Sequence, residues 1–259
     1  MPFLLLDEVR LHYELSGLAG APVLLFSNSL GTNLQMWEGQ RAALEKQFRI
    51  LRYDQRGHGS SSVPPPPYKI EQLGQDVLGL LDGLQLDRVN FCGLSIGGLT
   101  GMWLGIYAPQ RLYKLVLCNT GAHIGSLEMW NARIDSVRKG GTKAIASMAV
   151  ERFFSPEFRA RSPQAVATAQ NTLSEIATEG YIGCCSALRD ADLRDRISGI
   201  RVPTLIIAGS KDNATPPTLG QELRDDIPGS QYVELPAAHL SNIEAAAEFN
   251  AALIEFLSA

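Results

Sequence analysis

The chain has 259 residues, of which 45 % are hydrophobic and 19 % charged, and its formal net charge is −4. That size and apolar content suit a globular chain with a sizeable core. The slight excess of acid leaves no basic footprint, so neither nucleic acid nor an anionic membrane surface is an expected partner.

At the start of the chain, the short leucine run of Met1 to Leu6 is ended at once by Asp7 and Glu8, so no secretory signal is expected. No window approaches the ~18 consecutive apolar residues of a membrane span. Phe3 to Leu6 and Arg10 to Leu15 predict two short strands. In the second, alternation puts Leu11, Tyr13 and Leu15 on one face and His12 on the other, where a surface position is expected. Val23 to Phe26 is an unbroken apolar run, typical of a strand buried on both faces, and it empties into the turn formers Ser27-Asn28-Ser29-Leu30-Gly31-Thr32. A helix is expected from about Trp37 to Lys46, then a strand over Phe48 to Tyr53.

After that strand come Asp54-Gln55-Arg56-Gly57-His58-Gly59-Ser60 and a run of prolines, Pro64 to Pro67, which fits only a surface connection. His58, between two glycines, is expected to shape this loop or to face solvent rather than to act in catalysis. Ile70 to Leu86 has the apolar stripe of an amphipathic helix. Arg88 to Cys92 predicts a strand, Gly98 to Ala108 a helix, and Leu115 to Cys118 another buried strand. The rhythm then changes. Helical patterns over Leu127 to Val137, Lys143 to Phe154, Pro163 to Ala177 and Tyr181 to Arg189 follow with no convincing strand between them. Alternation resumes with a strand at Thr204 to Ala208, a helix at Pro216 to Asp226, a strand at Gln231 to Leu235 and a last helix at Ala245 to Leu257. Ser241-Asn242-Ile243-Glu244 has the pattern of a capping box that would start that helix.

This order predicts an α/β chain: a mostly parallel sheet with helices on both faces. Residues 121–200 form a helical cap inserted into a core of 1–120 and 201–259. The four cysteines, Cys92, Cys118, Cys184 and Cys185, lack metal-ligand spacing and read as reduced thiols of a cytoplasmic protein, so no metal is expected.

The stretch around which the rest is organised is Gly93-Leu94-Ser95-Ile96-Gly97, between a strand and a helix. A serine there sits on a sharp turn that lifts its hydroxyl clear of the sheet, and the glycines remove side chains that would collide with the neighbouring strand and helix. The helix starting at Ile96 also aims its first N–H groups at the place where an oxyanion would develop. Alone, G-x-S-x-G is a weak signal, because Gly and Ser are common turn residues. A serine hydroxyl needs a base, normally a histidine oriented by a carboxylate. Asp212 and His239 each follow a strand, at the same sheet edge as Ser95, and the order Ser…Asp…His fits the nucleophile-elbow pattern. Asn119, just after the strand ending at Cys118, has no charge to stabilise an imidazolium, which leaves Asp212 as the candidate acid.

With Asp54-x-Arg56-Gly57-x-Gly59-x-Ser61, the serine elbow, Gly209-x-x-Asp212 and the late His239, the chain resembles the α/β-hydrolase superfamily over nearly its full length. It is most similar to the 3-oxoadipate enol-lactonases at Ser27 to Thr32, Trp37, Cys118-Asn119-Thr120, Ile124-Gly125-Ser126 and His239-x-Ser241-Asn242-Ile243-Glu244, while Ile96 stands where methionine is frequent. The resemblance implies a small enol lactone with a carboxymethyl arm as substrate, a Ser95–His239–Asp212 triad, and backbone N–H groups of Leu30 and Ile96 as the oxyanion hole. It requires neither metal nor cofactor. A tryptophan lining the pocket in that family is similar in place to Trp130. Arg133, three residues further along the same helix face, is expected to pair with the substrate carboxylate. A cofactor-free esterase or perhydrolase would use the same residues, and a hydrolase-fold receptor would use the triad only to hold or slowly cleave its ligand.

Overall fold

The structure, a computed structural model, describes residues 2–259. Among these residues eight strands form one sheet in the order β1-β2-β4-β3-β5-β6-β7-β8. The strands are β1 (Phe3–Leu5), β2 (Arg10–Gly17), β3 (Val23–Ser27), β4 (Arg49–Tyr53), β5 (Val89–Leu94), β6 (Leu112–Cys118), β7 (Thr204–Gly209) and β8 (Gln231–Leu235). β1 and β2 are antiparallel, as are β2 and β4; every other neighbouring pair is parallel. The helices are α1 (Glu38–Leu44), α2 (Ile70–Gly83), α3 (Ile96–Tyr107), α4 (Leu127–Gly140), α5 (Ala146–Phe153), α6 (Pro156–Arg161), α7 (Pro163–Glu175), α8 (Thr178–Asp190), α9 (Pro217–Asp226), α10 (Ser241–Glu244) and α11 (Ala246–Ser258).

The unbroken apolar runs become the central strands. Every residue of β3, β5 and β7 is buried, as a parallel strand covered by helices on both faces requires. Parallel register then brings the strand ends to one edge: Ser27 pairs with Gly93, Leu94 with Cys118, and Gly209 with Leu235. Between β6 and β7 the chain forms α4 to α8 and no strand among the described residues. No helix among them is long and apolar enough to cross a membrane.

Two expectations need correction. The helix expected from Ala245 is two elements, α10 and α11, and the capping box is not made: no side-chain cap bond starts α10. His12 is not on the surface. It is only 4 % exposed, and its Nδ1 lies 2.7 Å from Asp54 Oδ2. Alternation alone would turn it outward, but β1 on one side and the 54–62 loop on the other cover that face, with Phe3 opposite His12 and Ser61 Oγ accepting its backbone N–H.

Candidate active site

The sharp turn after β5 is present. Ser95 has φ +60° and ψ −117°, a sparsely populated conformation that costs a non-glycine residue on the order of 1–3 kcal/mol. Its N–H donates to Cys118 O at 2.9 Å and its carbonyl accepts from Thr120 Oγ1 at 2.8 Å, so β6 holds the turn. Glycine is obligatory on both sides: a Cβ on Gly93 would lie 2.1 Å from Gly97 O, and one on Gly97 2.3 Å from Ser27 O.

Asp212 follows β7 and His239 follows β8, and His239 Nδ1 donates to Asp212 Oδ2 at 2.8 Å. Four further donors converge on the same carboxylate. Asn119 Nδ2 and Thr215 Oγ1 reach Oδ2 at 2.9 and 2.6 Å, while the N–H groups of Ala214 and Thr215 reach Oδ1 at 2.7 and 3.0 Å. Burial pushes the Asp212 carboxyl up, but the His239 imidazole and the Thr215 donors outweigh it and leave the group below its ordinary value. An ionised Asp212 fixes the proton on Nδ1 and leaves the Nε2 lone pair to face the cavity. Nε2 lies 3.5 Å from Ser29 Oγ. No hydrogen bond joins it to Ser95 Oγ here, although both residues line one cavity; contacts of this kind tighten when substrate enters.

Asn119, set aside above as an acid, is a donor to the acid instead. Ser241 Oγ donates to its Oδ1 at 2.5 Å, which orients the amide. The other half of the supposed capping box, Glu244, accepts the N–H of Ala238 at 3.2 Å and that of Ser155 at 3.0 Å, so it ties the His239 loop to the start of α6. Neither Thr215 nor these two roles could be read from local sequence.

Ser29, Leu30, Ser95, Trp130, Arg133 and His239 all line a narrow cavity of about 60 Å³, with Arg152, Phe153 and Tyr181 completing one side. Trp130 is buried and donates from Nε1 to Ile124 O at 2.6 Å. Ser126 caps α4 by accepting the Met129 N–H, so Trp130 and Arg133 project one turn apart on a defined helix face. Arg133 Nη1 donates to the Tyr181 hydroxyl at 3.2 Å. None of the residues lining this cavity is an Asp or Glu, and neither Arg133 nor Arg152 is paired with a carboxylate among the described residues. A roomier apolar cavity of about 460 Å³ lies between α7 and the 240–246 segment, but it contains none of Ser95, Asp212 or His239. No group of three or more His, Cys, Asp or Glu side chains able to hold a metal occurs among the described residues.

The N–H groups near the turn after β3 are nearly all engaged. That of Ser29 points at Met36 Sδ (3.4 Å), that of Gly31 donates to His58 Nε2 (3.0 Å) and that of Thr32 to Ser29 O (3.3 Å). The Leu30 N–H has no partner among the described residues, and the Ile96 N–H is one of the first-turn donors that no helix can satisfy internally.

The alpha/beta hydrolase fold family model matches residues 22–246. The chain belongs to the α/β-hydrolase family. This hydrolase is 44 % identical to 3-oxoadipate enol-lactonase 2 of Acinetobacter baylyi over 247 residues, covering 95 % of the chain and 92 % of the relative. It is 40 % identical to 3-oxoadipate enol-lactonase 1 of the same organism, over 92 % of the chain and 90 % of the relative. The crystal structure of the enol-lactonase from Burkholderia xenovorans LB400 superposes with a TM-score of 0.98 at 45 % identity, over 100 % of both chains.

Burial drives the His58 imidazolium down to about 4, so the folded hydrolase keeps this side chain neutral where an unfolded chain would bind a proton. The folded-state value is depressed from its ordinary 6.5. Its contribution to stability is therefore complete above about pH 6.5, declines as the pH falls, and is lost by about pH 4. Denaturant unfolding of wild type and His58→Gln should give midpoints whose difference changes across this window, on the order of 3 kcal/mol in all. A difference independent of pH would show that His58 is protonated in the native state.

Proposed function

We propose that this hydrolase opens the ring of 3-oxoadipate enol-lactone, with Ser95 as nucleophile, His239 as base and Asp212 as the acid that orients it. The observation that carries the reading is the pairing of the Asp212–His239 dyad with a small cavity whose only charged lining groups are arginines. Such a cavity selects an anionic ester of modest size. The identity to two named enol-lactonases over most of the chain supports the same substrate.

In this reading Ser95 Oγ attacks the lactone carbonyl as its proton passes to His239 Nε2. The N–H groups of Leu30 and Ile96 stabilise the tetrahedral oxyanion. Collapse expels the ring oxygen as an enolate, a better leaving group than an alkoxide, and the His239 imidazolium protonates it. Because the leaving group is part of the same molecule, it stays tethered to the acyl group. Water activated by His239 then releases 3-oxoadipate. Residues 121–200 act as a cap over the core formed by 1–120 and 201–259, and supply Trp130 as the pocket wall.

Arg133 is the proposed partner of the substrate's carboxylate, held for that purpose by Tyr181. Arg152, which the sequence offered only as one cap arginine among several, is the second cation facing the same space. Removing one side of a desolvated charge pair costs about 2–5 kcal/mol, so Arg133→Leu should lower kcat/KM by roughly 30-fold or more on the acid. The methyl ester of the same lactone arm should be hydrolysed nearly as well by variant and wild type. Equal losses on both would mean that Arg133 supports α4 and α8 rather than the anion.

Turnover of the enol lactone beside a panel of neutral lactones and aryl acetates tests the reading. A kcat/KM at least tenfold above that for every neutral ester is expected, following the charge-pair magnitude above. A preference for neutral aryl esters would instead make the hydrolase a general esterase.

A further inference from the structure

The mechanism uses Ser95, His239, Asp212 and two backbone donors, and leaves one buried imidazole without a task. His58 is 1 % exposed and stands on the loop after β4, whose course is fixed by its own backbone bonds: His58 N–H to Gln55 O at 3.0 Å, Ser61 N–H to His58 O at 3.1 Å and Gly57 N–H to Ser62 O at 2.9 Å. Its Nε2 accepts the Gly31 N–H at 3.0 Å. Its Nδ1 faces Arg56 O at 3.5 Å and Cys184 Sγ at 3.8 Å, and Tyr181 lies roughly parallel to the ring with centroids 6.4 Å apart. Since the Gly31 N–H is a donor, Nε2 must carry the lone pair and Nδ1 the proton.

We propose that His58 is a positioning residue for the oxyanion hole: by holding the Gly31 N–H, it fixes the peptide that aims the neighbouring Leu30 N–H at the reacting carbonyl. Gly31 has φ +78°, a turn in which the peptide could rotate if nothing held it. The loop is braced on both sides of this point. Asn28 Nδ2 donates to Tyr53 O at 2.8 Å before it, and the Leu34 N–H donates to Asp54 Oδ1 at 2.8 Å after it. Between those anchors, the His58 bond is the one made from outside the segment that acts directly on the peptide next to Leu30. The 54–62 loop thus serves as a bracket for the turn after β3, and the imidazole is its contact point.

The inference rests on the role of Leu30 in the proposed function, so its test includes one readout that needs no lactone and one that needs no catalysis. His58→Leu keeps apolar bulk but removes the acceptor, whereas His58→Gln restores a carbonyl that can take the Gly31 N–H. With an aryl acetate as substrate, His58→Leu should lower kcat on the order of 10- to 100-fold, short of the full loss of an oxyanion donor. KM should change little. Affinity for an arylboronic acid, which forms a tetrahedral adduct on Ser95, should fall by a similar factor. Amide hydrogen exchange at Gly31 should accelerate, and His58→Gln should recover most of each property. The proposal is overturned if folded His58→Leu retains wild-type kcat and boronate affinity, if Gly31 stays protected, or if His58→Gln loses as much as His58→Leu. Failure of wild type on the lactone, with normal aryl acetate turnover, would count against the substrate and leave the His58 test intact.

Discussion

Ser95→Ala is expected to lower kcat by about 10³-fold or more while the protein stays folded. The alanine removes only a hydroxyl at a position already held in a strained turn by β6, through Cys118 O and Thr120 Oγ1. Neither of those bonds involves the Ser95 side chain, so thermal stability should not fall. His239→Ala should cost a similar factor, and the double variant should be little worse than either, because nucleophile and base act as one unit. Retention of a tenth of the wild-type rate by clean Ser95→Ala protein would remove the serine from the mechanism.

The second large effect is expected at Asp212. Asp212→Asn preserves shape but removes the charge that stabilises the His239 imidazolium, and its amide also alters which tautomer the ring adopts. A loss on the order of 10³- to 10⁴-fold in kcat is expected. Here the surroundings sharpen the expectation. All five groups around the carboxylate are donors: His239, Asn119, the Thr215 hydroxyl and two N–H groups. An asparagine must turn its own NH₂ toward some of them, so part of the network will be lost and a modest drop in melting temperature will accompany the kinetic loss. Asp54→Asn is the control. Asp54 binds the N–H groups of Leu34 and Ser60 and the His12 ring, so its substitution should cost stability first and catalysis only through the turn after β3. If the two variants lose kcat equally, Asp212 is not the acid.

The sheet was legible because its signals are local. Unbroken apolar runs gave β3, β5 and β7, and each of Ser95, Asp212 and His239 follows a strand end, which parallel register then carries to one edge. What surrounds the triad was not legible, because its contacts cross the chain. Ser241 meets Asn119 from 122 positions away, and Glu244 meets Ser155 from 89. A four-residue pattern that matches a capping box carries no information about such partners, and the long-range bonds win. His12 was misplaced for a related reason: alternation reports which face a side chain takes, not what later segments lay over that face. His58 was narrowed to a loop-shaping or a surface role, but the identity of what it shapes, the Gly31 peptide, depends on β3 and β4 being neighbours.

The most direct measurement is the ring opening of 3-oxoadipate enol-lactone, followed in the ultraviolet with wild-type protein and Ser95→Ala at the same concentration. Rapid, saturable loss of the lactone chromophore with wild type is expected, together with a rate at least about 10³-fold lower for Ser95→Ala. A wild-type rate no faster than spontaneous hydrolysis, or equal rates for the two proteins, would contradict a lactonase acting through Ser95.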